Sequence, residues 1–279
     1  MKTIRKHLTT IIFGIVFVIG LGLLAYPTIA QWWNSTRSSG VGSLIEEKVE
    51  QLNVDDREQY IQDAAQYNSE LLATGNIFHP NEDQHQNYLN QLSIDGDSVM
   101  GTITIPAIGV YLPIYHGTDE TVLAVGAGHL EGTSLPVGGQ GTHTVITGHR
   151  GLPSAKLFTD LDSLAEGDYV VLKVFGEELT YQLDQIRIVL PEEIDDILIE
   201  PEKDLLTLVT CTPYGVNTHS MLLTGHRVEN LKEWTAVADA HQVDAKMVAL
   251  FIAIPILILL FIVLMVRSRR PKGEPDEKA

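Results

Sequence analysis

Cys211 is the only cysteine among 279 residues, and it closes an apolar run, Leu205-Leu206-Thr207-Leu208-Val209-Thr210, just ahead of Thr212-Pro213-Tyr214-Gly215. A strand of that composition delivers its last side chain to the rim of a sheet, where a thiol is held rigidly and still meets substrate. The chemistry on offer is nucleophilic, a thiolate attacking a carbonyl carbon. With one cysteine, an intramolecular disulfide is impossible and a cysteine-based zinc site lacks its ligands. The competing fate is a buried small hydrophobe, common for free cysteine.

A cysteine nucleophile needs an imidazole that exchanges protons with the thiol and with a leaving amine. The chain has ten histidines, and two of them stand in one tetrapeptide that occurs twice, Thr147-Gly148-His149-Arg150 and Thr224-Gly225-His226-Arg227. Both copies follow β-type runs, so pattern alone leaves His149 and His226 open as partners. The remaining histidines are scattered and no carboxylate cluster has a calcium-loop spacing, so chemistry without metal or cofactor is expected.

The elements that must position these groups read as helix first and strands after. Leu44, Ile45, Val49, Leu52, Tyr60, Ile61, Ala64, Ala65, Leu71 and Leu72 recur at helical spacing between Ser43 and Ala73, predicting one or two amphipathic helices broken near Asn53. Strands are predicted at 100–105, 110–115, 143–147, 169–174, 179–184, 186–190, 205–211 and 221–224, with a hairpin turn at Gly176-Glu177. Many short strands at close spacing favour a closed barrel or a sandwich. Short turns of helix are expected at 120–125 and 155–158. The glycine, proline and polar residues of Thr74 to Gln84 predict a loop. It is a linker by default or, more sharply, a flap with Phe78 beside Pro80 as its apolar plug.

Both ends of the chain are apolar. Ile11 to Ala25, continuing to Ala30, follows Lys2, Arg5 and Lys6 and reads as an uncleaved anchor rather than a signal peptide, because Tyr26-Pro27-Thr28-Ile29-Ala30 is a poor small-residue cleavage site. Met247 to Val266 is free of charge and matches the roughly 20 residues that cross a bilayer. Arg267, Arg269, Arg270 and Lys272 then mark the cytoplasmic side. The expected organisation is a basic cytoplasmic tail (1–10), an N-terminal transmembrane anchor (11–30) and a helical segment with its flap (31–99). A β body (100–230), a juxtamembrane linker (231–246), a second span (247–266) and a cytoplasmic tail (267–279) follow. Residues 31–244 carry 10 Lys and Arg against 33 Asp and Glu, a surface that repels nucleic acid.

The run Thr207-Leu208-Val209-Thr210-Cys211-Thr212-Pro213-Tyr214-Gly215-Val216-Asn217-Thr218-His219 closely resembles the cysteine motif of class C sortases, the membrane-anchored pilin-polymerising transpeptidases of Gram-positive bacteria. Further blocks are similar to the same family: 101–105, 112–118, Gly128-His129-Leu130-Glu131-Gly132-Thr133-Ser134-Leu135-Pro136, and 147–158 from Thr147 to Phe158. The resemblance implies a mainly β fold, an eight-stranded sortase β-barrel preceded by amphipathic helices and flanked by two transmembrane helices. It implies Cys211 as nucleophile and His149, not His226, as the catalytic histidine. The implied partners are Leu-Pro-x-Thr-Gly-like sorting signals and an amine acceptor, a pilin lysine or, in the cell-wall-anchoring alternative, a peptidoglycan cross-bridge.

Two departures from the family pattern stand out. Its arginine, three residues after the motif asparagine, is Ser220 here. One lost donor to a developing oxyanion costs on the order of 10²–10³ in rate, so a non-catalytic sorting-signal binder or scaffold is a further alternative. Arg227 lies seven residues on, roughly 23 Å along a strand and on the opposite face, which rules it out as a simple replacement; Arg150, or Ser220 with backbone amides, remain. The family's Asp-Pro-aromatic flap motif is also absent, and Phe78, His79 and Pro80 stand in its place as lid residues.

Overall fold

The computed structural model describes residues 2–152, 155–191, 193, 195–213, 217–230 and 245–268. Residues 231–244 of the expected linker, the basic residues Arg269, Arg270 and Lys272, and Tyr214-Gly215-Val216 of the cysteine motif lie outside the described residues. The chain divides into two units, Met1–Ala30 with His241–Ala279, and Gln31–Ala240.

In the first unit, helix α1 (Lys2–Gln51) begins, and it runs through Pro27 and on past Ala30 without interruption. The sequence suggested separate pieces there; the apolar stretch and the first amphipathic helix are one element. Phe13, Val16 and Leu23 are exposed along it, as suits side chains that face lipid. Among the described residues, α1 alone is long and apolar enough to cross a bilayer, and the apolar stretch Ile252–Val263 of the last helix is shorter. That last helix spans Ala245–Ser268, and within this unit the rings of Phe17 and Phe261 stack with centroids 4.2 Å apart.

The second unit holds the C-terminal part of α1, helices α2 (Val54–Thr74) and α3 (Glu82–Asn90), and the barrel. Asn53 ends the first amphipathic stretch and caps the next: its side chain accepts the Asp56 N–H, while Asp55 and Asp56 complement the dipole of the first turn. Helix α3 replaces the end of the predicted loop, opened by a reciprocal capping box between Asn81 and Gln84. The loop proper therefore covers only 75–81.

Eight strands, β1 (Val99–Ile105), β2 (Val110–His116), β3 (Ala127–His129), β4 (Thr142–Thr147), β5 (Tyr169–Val174), β6 (Glu177–Val189), β7 (Asp204–Thr212) and β8 (His219–Val228), close into a barrel ordered β1-β2-β3-β4-β7-β8-β6-β5. The β2–β3 and β4–β7 pairs are parallel and the others antiparallel. The predicted strands 179–184 and 186–190 are one strand, β6, whose register against β8 shifts between Leu183 and Gln185; such a bulge bends a strand without ending it. The β5–β6 turn is Phe175-Gly176, one residue earlier than expected, with both φ positive at 48° and 89°, the geometry of a two-residue hairpin.

Ile103, Ile146, Leu172, Leu206, Leu208 and Leu223 fill the interior, and Ile45, Val49, Ala64 and Tyr88 from the helices join the same cluster. A polar clamp fixes α1 to the barrel. Glu46 accepts from the Thr102 and Tyr111 hydroxyls at 3.0 Å each and pairs with Lys173 Nζ at 2.5 Å. On α2, the buried Asn68 amide bonds both the N–H and the C=O of Leu135. Helices and barrel thus share one core, and the outer wall of β4, β7 and β8 is left for the strap 75–81 to cross.

Candidate active site

Side chains alternate sharply at the end of β7: Thr210 and Thr212 are buried, and Cys211 between them is exposed. Period-2 geometry puts Thr210 and Thr212 on the barrel side with Leu208, and Cys211 on the outer side with Val209. Across the antiparallel β7–β8 ladder Cys211 pairs directly with Ser220, and Val209 pairs with Leu222. Ser220 therefore shares the thiol's face and its level on the sheet.

On the other side of β7 runs the parallel strand β4, paired with it as far as Thr147 and Val209. The pairing continues beyond the strand's end, because the Gly148 N–H donates to the Val209 carbonyl at 3.1 Å and the Thr210 hydroxyl donates to the Gly148 carbonyl at 2.9 Å. His149 follows at the level of Cys211. A glycine is required just before it: a Cβ on Gly148 would stand 2.5 Å from the ring of the fully buried Phe158. The Phe158 N–H in turn donates to the His149 carbonyl at 3.1 Å. The His149 side chain is 24% exposed, and its Nε2 lies 3.2 Å from Glu120 Oε2. An exposed thiol and a partly exposed imidazole at one level on adjoining strand ends are groups suited to proton exchange and acyl transfer.

The second tetrapeptide is elsewhere. His226 pairs in register with Leu205, at the far end of β7 from Cys211, and its Nδ1 lies 2.8 Å from Asp184. Arg227 donates to the carbonyls of Thr180, Glu178 and Val228, which fixes it at that far end. Arg150 is ion-paired with Asp162, and its Nη1 lies 3.5 Å from the Thr212 hydroxyl, on the barrel side of the strand that presents Cys211 outward. Its side chain is only 9% exposed, and strand parity puts the Thr212 side chain on the face opposite Cys211.

The strap 75–81 lies over the outer wall. The Asn76 amide donates to the Gly132 carbonyl and accepts from the Ile199 N–H, at 3.0 and 3.1 Å. Phe78 packs on a small cluster of Val145, Val189, Ile197 and Leu222, with Val209. That is one side-chain row, about 7 Å, from Cys211 and Ser220. Pro80 is half-buried beside it, whereas His79 is exposed. Among the described residues, no group of three or more His, Cys, Asp or Glu side chains is arranged to hold a metal ion.

Sequence reasoning missed Glu120, Asp162 and Asn76. Asn76 lay inside the predicted flap, but nothing in its neighbours marks it as the tether; Glu120 and Asp162 carry no local pattern. The buried histidines also separate cleanly from His149. His129 is completely buried, with Nε2 donating to the Ser134 carbonyl at 2.9 Å and Nδ1 accepting from the Tyr88 hydroxyl at 3.0 Å, and burial pushes it down to about 4. His143, bonded to Leu198 and Thr207, is lowered for the same reason.

Comparison with known proteins finds relatives of one family. A family model described as the sortase domain matches residues 103–228. Sortase A of Streptococcus agalactiae is 37% identical over 117 residues, 41% of this chain and 47% of that protein; the chain spans about half the length of the curated relatives it matches. Among solved structures, sortase C1 of Streptococcus agalactiae is 46% identical, covering 68% of this chain and 99% of that one with a TM-score of 0.67. Sortase C-1 of Actinomyces oris is also 46% identical, covering 62% and 99% with a TM-score of 0.59.

Proposed function

This chain belongs to the sortase family, and from its likeness to class C members we propose that it is a membrane-anchored cysteine transpeptidase that joins pilin subunits. The observation that carries the proposal is the exposed Cys211 held by strand pairing at the level of His149. In this reading the Cys211 thiolate attacks the threonine carbonyl of a Leu-Pro-x-Thr-Gly-like signal. The Thr–Gly C–N bond breaks as His149 gives its proton to the departing glycine amine, leaving a thioester on Cys211. An incoming amine, a pilin lysine, then loses a proton to His149 and attacks the thioester, forming an isopeptide bond and releasing the thiol. Ser220, facing the thiol from β8, is the side-chain donor nearest in register to the developing oxyanion.

Phe78, with His79 and Pro80 in the strap, acts as the lid that a sorting signal must displace. The apolar N-terminal helix is the membrane anchor, and the helix over Ala245–Ser268 is read as a second span, which puts the barrel on the outer side and both tails inside. Peptidoglycan cross-bridge amines are the alternative acceptors within the same chemistry. Ser220 in the arginine position favours one reading of a different kind, a barrel that binds sorting signals without processing them.

Intact-mass spectrometry of the full-length protein in detergent micelles with a Leu-Pro-x-Thr-Gly peptide separates these. The expected result is an acyl adduct, lighter than the added peptide by its glycine fragment, on the wild type and not on Cys211→Ala. No adduct with several signal variants would leave the binding protein as the function, and an adduct on both proteins would remove Cys211 from the mechanism.

A further inference from the structure

We propose that Glu120 is a positioning residue that holds His149 in one tautomer and one orientation, an inference that rests on reading His149 as the acid–base group. Across the sheet the strands run β3, β4, β7, β8, and a short helix, α4 (Glu120–Leu123), sits against β3. The order of functional groups along this row is carboxylate, imidazole, thiol, hydroxyl: Glu120, His149, Cys211, Ser220.

The α4 turn is held firmly for so short an element. The Asp119 carbonyl accepts from both the Val122 and Leu123 N–H groups at 2.9 Å, and Leu123 is buried. Leu123 is seated where β3 has no side chain, since a Cβ on Gly128 would stand 3.1 Å from Leu123 Cδ2 and 2.3 Å from the Gly117 carbonyl oxygen. That packing delivers Glu120, the first residue of the turn, to the imidazole. An ionised carboxylate only accepts, so in the 3.2 Å contact His149 Nε2 must carry a hydrogen and donate it. Nδ1 is then the nitrogen left to take and return the working proton. The arrangement is the thiol, imidazole and orienting third group of nucleophilic enzymes, with the difference that this carboxylate is 83% exposed. An exposed pair contributes little to folding, so removing Glu120 should be felt in turnover and not in stability.

The test uses full-length protein in detergent micelles, a Leu-Pro-x-Thr-Gly peptide and hydroxylamine as the amine. Glu120→Ala should lower kcat about fivefold, the effect expected of an exposed pair, with KM and melting temperature unchanged. Glu120→Gln, whose amide oxygen still accepts from Nε2–H, should recover most of the loss. In ¹⁵N-histidine spectra, the His149 signal, assigned with His149→Ala, should be the Nε2–H tautomer in the wild type and a mixture in Glu120→Ala. Unchanged kcat, a loss confined to KM or melting temperature, equal losses in both variants, or an unchanged tautomer would each overturn the proposal. A wild type without turnover would refute the transpeptidase reading instead, and the spectra would still decide whether Glu120 sets the tautomer.

Discussion

The two Thr-Gly-His-Arg segments have one sequence and opposite surroundings. Each sets its histidine against a carboxylate, Glu120 for His149 and Asp184 for His226. Strand direction separates them. β4 runs parallel to β7 and brings His149 to the end that carries Cys211, while β8 runs antiparallel and carries His226 to the opposite end, beside Leu205. A motif therefore supplies a competent side chain, and sheet register decides whether anything stands beside it to react.

The sharpest way to break this contrast is to remove each histidine in turn. His149→Ala should lower kcat by about 10²–10⁴-fold, the usual contribution of a positioned acid–base group, whereas His226→Ala should leave thioester formation within about twofold of wild type, since only an exposed pair is lost. Comparable losses in single-turnover assays would show that register is not what distinguishes them. A smaller effect in the opposite direction is expected at the neighbour of the thiol. Ser220→Arg puts a guanidinium on the thiol's face of β8, and kcat should rise by about ten- to a hundredfold if a missing oxyanion donor limits the rate; no gain would mean that hydroxyl and backbone donors already suffice.

A third histidine extends the contrast from chemistry to stability. Buried His129 is held down to about 4, against about 6.5 when unfolded. Between those values the unfolded chain binds a proton that folded His129 refuses, so stability is full above about pH 6.5 and is lost as pH falls toward 4, by roughly 3 kcal/mol over the window. Thermal melts should show a lower melting temperature at pH 5 than at pH 7, with a flatter dependence in His129→Gln.

What was legible in the sequence followed from periodicity long enough to show. The run Leu205 to Cys211 announced a strand, and the break expected near Asn53 falls where one helix ends and the next is capped. β3 escaped because no period can appear in Ala-Gly-His. β6 was split because Asp184-Gln185 interrupts its alternation at the bulge. Helix α3 has only Tyr88 and Leu89 as apolar anchors, although its Asn81 and Gln84 capping pair was visible. The resemblance named Cys211 and His149, and the residues themselves had left two histidines open. Glu120 was beyond reach, since its approach to His149 depends on a backbone gap at Gly128 that appears only when β3 and α4 have packed.

Because the ladder between Thr142–Thr147 and Asp204–Thr212 alternates faces at every residue, the site is sensitive to chain length in an uneven way. Deleting one residue from the middle of β7 would turn Cys211 into the barrel and present a threonine in its place. An insertion in the loop between Leu198 and Asp204, or in the strap, leaves that parity untouched. Length variation during divergence of such a barrel is thus channelled into its loops, while the two strands beneath the thiol stay fixed in length.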